Sequence, residues 1–569
     1  MHSEDKLLYN FFDNLDGQLT IPIYQRGPAW KDENYNRLWD DLMDSIEDGH
    51  WLDRTICKKF DKDVLAGELC EIHIIDGQQR FTAMIVLYTA ICAYCKNNKI
   101  EDIAWKTLIY DSILINHKGT GEKKYRLKLR GEYNEVLKQL IDNLPIRGGV
   151  KASKHWNSKN NSNEVLRMYN SFYGKLNNEN IYDIWNSVRK VQIVDVQCED
   201  KDNPQRVFDC INSTGVPLRL FEQIKNGTLM EYEEKEQIRL YYKYWEPLIS
   251  YFKHKVGKFD EFFVMILRYL KQGKVTGSKN MGYIYFKRYM EENNLSSEDF
   301  LIMVLNIFNY YKIFNGDESS GDAEIDAAFE NLVIFNASAT IFPVLLSLYT
   351  YYDRDISYKP DLLNCLKLLE TQLMRGVICG RRAYNVLKRF DLSVIDNRNL
   401  LQSLIKGFKM LDTSFISDAD FKRGLNRNRE WYNGSMKRVT NGFLKRIEMS
   451  YHEKGEVSFK RYSIEHIMPQ TLNETWKIQL GTEYNDIHDN YVNAIGNLTL
   501  TAYNTEMSNK TFEEKLNMKD GFKDDRLHLN KSVAKYNHWN EDTIKERTNL
   551  IIEKSLEIWK YPPIHGDVF

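Results

Sequence analysis

The stretch EIHIIDGQQRF, residues 71–81, joins a strand to a helix and decides the fold of the first part of the chain. The apolar run Glu71–Ile75 predicts a buried strand, and the apolar run Phe81–Cys95 predicts a long helix. Gly77 between them can adopt the positive φ that a tight turn often requires. The Gln-Gln-Arg that follows places amide and guanidinium donors beside the free N–H groups of a new helix, which suits a phosphate group. An ordinary turn is the alternative interpretation of this local pattern.

Regular elements are predicted on both sides of this stretch. Five apolar or aromatic residues recur at helical spacing after the extended segment 20–24, and they predict an amphipathic helix: Tyr35, Leu38, Trp39, Leu42 and Ile46. Runs of strand character at 55–60, 125–129 and 191–196 predict further strands. The first part of the chain is therefore predicted to be an α+β domain.

The rest of the chain has mostly helical patterns. From about 230 to 450 the periodicity is helical, with a break near 315–322, and a last amphipathic helix is predicted at 541–559. A chain of 569 residues is too long for one hydrophobic core. We predict an α+β multidomain protein divided into residues 1–230, a mostly helical middle at 231–420, and a C-terminal domain at 421–569.

Composition excludes several classes of protein. The longest apolar runs, 83–95 and 341–352, are shorter than the roughly 18 residues that span a bilayer, so no membrane partner is expected. The N-terminal residues lack the pattern of a secretion signal, so we expect a cytoplasmic protein. Only Cys92 and Cys95 among the eight cysteines are close in sequence, which predicts reduced, mostly buried thiols rather than a structural zinc site.

Two basic clusters stand out against the net charge of −2. The first comprises Arg375, Arg381, Arg382, Lys388 and Arg389. The second comprises Lys422, Arg423, Arg427, Arg429, Lys437, Arg438, Lys445 and Arg446. Such clusters suit contact with a phosphate backbone, and solvated helix faces are the equally weighted alternative.

A second group of polar residues near the end of the chain suggests a one-metal nuclease. Glu465 and His466 belong to the run 464–470, and Asn497 belongs to the run 495–500. In a ββα-metal nuclease, a strand histidine acts as general base on water and neighbouring oxygen donors hold one divalent ion. We predict that His466 is the base, Glu465 an oxygen ligand, Asn497 a catalytic-site residue that shapes the loop, and Asn504 the second ligand.

The predicted donors select the metal. Carboxylate, amide and water oxygens suit Mg²⁺ or Mn²⁺ better than Zn²⁺. Asn509 competes with Asn504 for the second ligand position, and Lys510 is expected to contact phosphate. The 31 residues from His466 to Asn497 predict an insertion between the two strands, and His488 within it is interpreted as a surface residue rather than a ligand.

Two groups of motifs frame the chain. The N-terminal group comprises Ile23–Arg26, Trp30, Ile75–Thr82, Phe208, Asn212–Gly215, Leu218 and Lys225–Asn226. The C-terminal group comprises Glu465–Gln470, Gly496–Leu500, Asn504, Ser508–Lys510, Phe512, Lys515, Trp539, Ile544 and Arg547. In this order they resemble the GmrSD-type, or SspE-like, family of modification-dependent restriction endonucleases.

The resemblance implies a ParB/sulfiredoxin-like N-terminal domain and a C-terminal HNH nuclease domain of ββα-metal type embedded in helices. It implies that a nucleoside triphosphate, whether GTP, CTP or ATP, is bound or hydrolysed at Asp76, Gly77, Gln78, Gln79 and Arg80, and the sequence leaves open whether hydrolysis occurs. It also implies that double-stranded, modified DNA is sensed near Tyr24, Gln25 and Arg26. Nucleotide or modified DNA at one end would then permit cutting at the other.

Two other functions stay open at this stage. One is a DNA-binding NTPase sensor or scaffold whose HNH domain is inactive and which acts through a partner. The other is an RNA-cleaving toxin with the same metal site. A homo-oligomer is also left open by the sequence.

Overall fold

The computed structural model describes residues 2–60, 69–144, 163–199, 202, 218–253, 255–273, 281–335, 338–381, 387–411, 415–427, 430–452 and 461–561. Contacts divide the chain into two compact units, the first comprising Met1–His254 with Ser296–Leu301 and the second Lys255–Leu295 with Ile302–Phe569. The architecture is mixed α+β, as predicted. The domain boundaries predicted after residues 230 and 420 stay predictions. Sequence motifs outside the described residues are Phe208, Cys210, Asn212–Gly215, Arg382 and Arg429.

The first unit contains a six-stranded mixed sheet with the order β1-β6-β3-β4-β2-β5. Its strands are β1 (His2–Leu7), β2 (Gly17–Thr20), β3 (Trp51–Phe60), β4 (Cys70–Asp76), β5 (Leu127–Lys128) and β6 (Gln192–Cys198). The pairs β2–β4, β2–β5 and β3–β6 are parallel, and the pairs β3–β4 and β1–β6 are antiparallel. The stretch 71–81 supplies β4, near the middle of the sheet.

Four of these strands, β3 to β6, agree with runs in the sequence, and two were missed: β2, which ends at Thr20 where only an extended segment 20–24 was expected, and the edge strand β1. Strand β1 is mostly exposed and is rich in polar residues, so it carries no apolar alternation. Its pairing with β6 is a tertiary interaction that local pattern does not encode. Strand β3 also begins earlier than predicted, at Trp51.

The helix Gln78–Asn97 forms the centre of the first unit's core. Almost every side chain along it is buried, including its first two glutamines. Phe81 lies against the rings of Phe11 and Phe12, with centroid distances of 5.4 and 5.7 Å. A helix that is apolar all around has to be surrounded by other elements, and here they are the sheet and the helices that follow.

The other α-helices of the first unit are Leu8–Asp13, Asp32–Asp44, Gly131–Asp142, Glu164–Lys175, Ile181–Val188, Leu220–Leu229, Glu234–Leu240 and Glu246–Phe252. Two segments of the first unit are π-helical, Lys106–Leu114 and Tyr241–Trp245, and Gly121–Lys124 is a 3₁₀ turn.

Gly77 adopts the left-handed conformation that the sequence predicted, with φ of +97°. A Cβ atom at this position would lie 3.1 Å from Cγ2 of Thr55 on β3. The turn between β4 and the central helix therefore requires glycine for both conformational and steric reasons.

We expect Gly77→Ala to lower the free energy of unfolding of the first unit by about 1–3 kcal/mol, because the left-handed backbone is costly for a residue with a Cβ. The matched control is Gly174→Ala in the helix Glu164–Lys175, where a Cβ meets no atom within 4 Å. That control should be neutral or stabilising by up to about 1 kcal/mol. Urea unfolding of both variants measures the difference, and equal stabilities would contradict the strain argument.

The second unit is mainly helical and contains one two-stranded sheet. Its α-helices are Val256–Leu270, Met281–Glu292, Ala323–Val333, Ser338–Arg354, Lys359–Ile378, Leu400–Met410, Asp418–Leu425, Met436–Met449, Glu474–Leu480, Tyr484–Tyr491, Asn504–Met507, Phe512–Asn517, His528–Val533 and Glu541–Ile558. The 3₁₀ segments are Ile356–Tyr358, Leu392–Val394 and Ile495–Asn497. The helix Ser297–Phe314 contributes residues to both units.

The helical character predicted for the middle of the chain is confirmed where the structure describes it. The break predicted near 315–322 falls between the helices Ser297–Phe314 and Ala323–Val333, and the last predicted helix ends at Ile558. Among the described helices, none has the length and apolarity to cross a bilayer.

Arg375 from the first basic cluster is buried in the core of the second unit and is fully used there. Its guanidinium donates to the carbonyl of Trp559 at 2.6 and 2.8 Å, to the carbonyl of Ile416 at 2.8 Å and to the carboxylate of Asp418 at 2.7 Å. Arg375 therefore fastens the end of the last helix, and it is not available to a DNA backbone.

Candidate functional sites

The C-terminal site is built on a short antiparallel hairpin. Strand β7 (Ser463–His466) pairs with β8 (Leu498–Thr501), and His466 lies opposite Leu498. The insertion predicted between the strands contains the helices Glu474–Leu480 and Tyr484–Tyr491. The hairpin thus brings residues 463–466 beside residues that lie more than thirty positions later.

Asn497 closes the loop that enters β8. Its side-chain oxygen accepts from the backbone N–H of Met468 at 2.8 Å and from the indole of Trp539 at 2.9 Å. Its amide nitrogen donates to the carbonyls of Met468 and Val492, each at 2.9 Å. Because both polar atoms are doubly engaged and the side chain is fully buried, Asn497 shapes the loop from within rather than facing a ligand.

His466 is buried in the second unit, with 7% of its surface exposed. Its Nε2 atom is 3.1 Å from Oδ1 of Asn493, and the ring of Tyr432 meets its face edge-on at 4.5 Å. Burial lowers the pKa of His466 to about 4, and the charges of Lys515, Lys437 and His488 act in the same direction. The imidazole is therefore neutral at pH 7 and able to accept a proton.

Glu465 forms a buried ion pair that the sequence analysis did not anticipate. Its Oε1 is 2.6 Å from Nζ of Lys515, which also donates to the carbonyl of His466 at 2.6 Å. Both side chains are almost completely buried. Burial raises the pKa of Glu465 and lowers that of Lys515, while their mutual attraction opposes both changes. The only sequence signal for this pair was the place of Lys515 among the family motifs.

Asn504 is tied to the strand that carries Glu465 and His466. Its amide nitrogen donates to the carbonyl of Ile464 at 2.6 Å and lies 3.2 Å from Oγ of Ser463. This orientation leaves its side-chain oxygen as the atom available to a ligand.

Asn509 and Lys510 lie on the segment that follows. The backbone carbonyl of Asn509 accepts from Asn473 at 2.9 Å, and that of Lys510 accepts from the indole of Trp476 at 3.0 Å. Nζ of Lys510 is 4.0 Å from the sulfur of Met518. Residues 509–510 are therefore attached to the insertion between the two strands, whereas Asn504 is attached to β7.

Carboxylate and amide oxygens of the kind that Mg²⁺ binds are present near the hairpin. In the part of the chain that the structure describes, no three His, Cys, Asp or Glu side chains converge on a common point. Mg²⁺ does not need three, because it commonly keeps several waters and binds one or two carboxylates together with substrate phosphate. Glu465 supplies one carboxylate, whose Oε1 is bonded to Lys515, and Asn504 supplies one amide oxygen.

His488 in the insertion bonds to the loop after β7, its Nε2 lying 3.0 Å from the carbonyl of Pro469. It is partly exposed, as the sequence interpretation expected.

At the N-terminal site, the side chains of Gln25 and Gln79, both predicted to bind a ligand, bond instead to the protein backbone. Gln25 is buried and its amide donates to the carbonyls of Ile74 and Ile75 at 2.6 and 2.8 Å. Gln79 accepts from the N–H of Ala29 at 2.7 Å and donates to the carbonyl of Gly27 at 3.0 Å. The segment after β2 is thereby fixed across the strand-turn-helix junction.

Arg80 is also engaged within the protein. Its guanidinium donates to the carbonyls of Leu52 and Arg54 at 3.2 and 2.6 Å. Asp53 and Asp76 lie 3.3 and 3.5 Å from the same group. Arg80 therefore braces the irregular start of β3.

The remaining predicted residues differ in their surroundings. Tyr24 is buried at 3% exposure, and burial raises its pKa. Gln78 is buried, and its side chain makes no hydrogen bond with the described residues. Nε of Arg26 is buried without a hydrogen-bond partner in the same part of the chain. Among the residues predicted for this site, Arg26 therefore has a buried donor without a partner, whereas the side chains of Gln79 and Arg80 are bonded within the protein.

Comparison with protein-family models gives two matches. Residues 8–229 match the N-terminal domain of GmrSD restriction endonucleases, and residues 415–554 match the C-terminal domain of GmrSD restriction endonucleases. Comparison with curated proteins gives no match. The first range contains the junction around Gly77, and the second contains the hairpin with His466. With both matches in the order that its motifs indicate, this chain belongs to the GmrSD restriction endonuclease family.

Proposed function

We propose that this protein is a Mg²⁺-dependent DNA endonuclease with an HNH active site, controlled by a ParB/sulfiredoxin-like N-terminal domain that binds a nucleoside triphosphate and senses modified DNA. The restriction endonuclease domains at both ends support a nuclease acting on DNA. The observation that carries the catalytic assignment is the buried imidazole of His466 on strand β7, whose Nε2 is 3.1 Å from Oδ1 of Asn493. The same strand carries Glu465.

In this proposal His466 accepts a proton from the attacking water. Its low pKa keeps the ring neutral at physiological pH, and Asn493 orients it through the contact at Nε2. Glu465 and Asn504 hold the metal ion, with Asn509 as the alternative second ligand. When bound, the ion stabilises the negative charge that develops on the phosphate.

A phosphate contact is proposed beside His466, formed by Lys437 next to Tyr432. The ammonium group of Lys437 lies 4.5 Å from the ring centre of Tyr432, whose edge meets His466. Lys437 is exposed and its charge reaches the histidine, so it would contact a backbone phosphate and position the duplex. Lys510 is proposed as a second phosphate contact.

The experiment that tests this function is digestion of a substrate panel. Glucosylated, methylated, phosphorothioated and unmodified DNA, together with RNA, are incubated with Mg²⁺ or Mn²⁺, with and without GTP, CTP or ATP. We expect cutting of at least one modified DNA and a change in its rate with one triphosphate. Failure to cut any substrate would favour a scaffold, and cutting of RNA alone would favour a ribonuclease.

Removal of divalent metal by EDTA is expected to abolish cutting. Loss of several kcal/mol of charge stabilisation corresponds to a fall of about 10³-fold or more in rate. Excess Mg²⁺ should restore the rate, and circular dichroism with and without EDTA serves as the control for folding. Undiminished cutting in EDTA would contradict a metal-dependent centre.

A further inference from the structure

Lys225 is a buried cation without a partner. It lies on the helix Leu220–Leu229 and is 3% exposed. Among the described residues, no hydrogen bond or ion pair satisfies its ammonium group. Such a charge is unfavourable in a protein interior unless an anion accompanies it.

The helix that carries Lys225 is held against the predicted ligand-binding segment. With its amide oriented to satisfy both atoms, Asn226 donates to the carbonyl of Tyr24 at 2.5 Å. Gln25, one residue further, is bonded to the end of β4 beside Gly77. Lys225 is therefore the neighbour of Asn226, which bonds directly to the segment 24–26.

Two arginines belong to the same segment or bond to it. Arg130 donates to the carbonyl of Gln25, lies 4.7 Å from the ring centre of Tyr241, and lowers the pKa of Lys225 by its charge. Arg26 is the residue after Gln25 and has a buried, unpartnered Nε. Glu222 is the acid whose charge acts on Lys225, but its carboxylate also accepts from the backbone N–H of Arg219 at 2.9 Å. We call Arg26, Arg130 and Lys225 the basic cluster.

We propose that Lys225, together with Arg130 and Arg26, binds the phosphates of the nucleoside triphosphate. This inference rests on the nucleotide part of the proposed function. The main positive charge on the phosphates would then come from the helix that carries Lys225, and not from Arg80, which is bonded to β3. A lysine buried to this degree suits a small anionic ligand that enters the fold, and a duplex backbone would require an exposed surface.

Burial, reinforced by Arg130, lowers the pKa of Lys225 to about 7. A bound triphosphate would raise this pKa, so binding takes up a proton when the pH exceeds 7. The arginines of the cluster stay charged throughout, and Glu222 is the acid that faces the lysine. Affinity should therefore fall by up to about tenfold between pH 7.5 and 8.5.

The test is isothermal titration calorimetry on the full chain with GTP, CTP, ATP and inorganic tripolyphosphate, each used separately. Lys225→Met is compared with wild type and with Lys106→Met, a control at an exposed lysine of the same unit. We expect Lys225→Met to weaken binding of the preferred triphosphate and of tripolyphosphate at least about tenfold, and the control to bind within twofold of wild type. Thermal melting verifies that both variants are folded.

The pH dependence of wild-type binding supplies a second readout, which does not need the variant to fold. Affinity that falls with pH in wild type and in Lys106→Met supports the proposal, and affinity independent of pH overturns it. Wild-type affinity in Lys225→Met overturns it as well, and leaves the proposed nuclease and its nucleotide site in place. If wild type binds none of the four probes, this inference and the nucleotide part of the proposed function both fail, while DNA cutting is measured separately.

Discussion

Replacement of His466 by alanine should lower the rate of DNA cutting by about 10²–10⁴-fold while leaving the affinity for DNA nearly unchanged. That range is what a positioned general base contributes. Burial lowers the pKa of His466 to about 4, so the ring is neutral at pH 7, which is the state in which a base accepts a proton. A substitution at this position removes the proposed proton acceptor and leaves the exposed side chain of Lys437, the proposed phosphate contact, in place.

The control for this substitution is His538→Ala. His538 is exposed in the same unit. It should cut DNA at the wild-type rate, and thermal melting of both variants separates lost chemistry from lost structure. If the His466 variant cuts as fast as wild type on the preferred substrate, His466 is not the base.

Substitution of Lys515 by methionine should produce the largest loss of stability among the changes considered. The variant leaves the carboxylate of Glu465 buried without its cation, and breaking a buried ion pair in this way typically costs about 3–5 kcal/mol. The loss of the bond to the carbonyl of His466 adds to the effect. Urea unfolding, followed by the fluorescence of the buried Trp476 and Trp539 in this unit, measures the change.

A double-mutant cycle isolates the ion pair. Glu465→Gln combined with Lys515→Met removes both charges, so the double variant should be more stable than Lys515→Met alone by at least about 1 kcal/mol. Lys523→Met, at an exposed lysine of the same unit, is the control and should change stability by less than about 0.5 kcal/mol. A Lys515→Met variant that unfolds at the wild-type urea concentration would show that the pair is not stabilising.

The ion pair also bears on the proposed metal centre. Lys515 already neutralises Glu465, so an ion in the proposed centre would meet a partly compensated carboxylate and would draw affinity from Asn504, water and substrate phosphate. We expect metal binding to depend on bound DNA for this reason. The arrangement suits a nuclease that is inactive until its substrate is in place.

The sequence pattern predicted the structure correctly at positions where the conformation depends mainly on neighbouring residues in the chain. Gly77 has the positive φ that its position between strand and helix demands, and the apolar run after it is a helix buried on all sides. The polar edge strand β1 was missed because its pairing, not its composition, makes it a strand. The helical middle was predicted correctly because the spacing of apolar residues along a helix can be read from the sequence without knowing the tertiary contacts.

The roles of the charged residues needed the tertiary structure. Arg80 and Arg375 are basic residues in positions that suggested phosphate contact, yet each donates to carbonyls far away in sequence. Lys225 and Lys515 drew little attention in sequence, yet each is a buried cation at a candidate site.

The sequence by itself determined the α+β character, the strand-turn-helix junction, the hairpin residues Glu465 and His466, and the family to which the chain belongs. Only the tertiary structure decided which cations are already neutralised by protein groups and which remain for a ligand. The physical reason is that a charge's availability depends on burial and on partners brought from distant positions, and neither is encoded in the spacing of nearby residues.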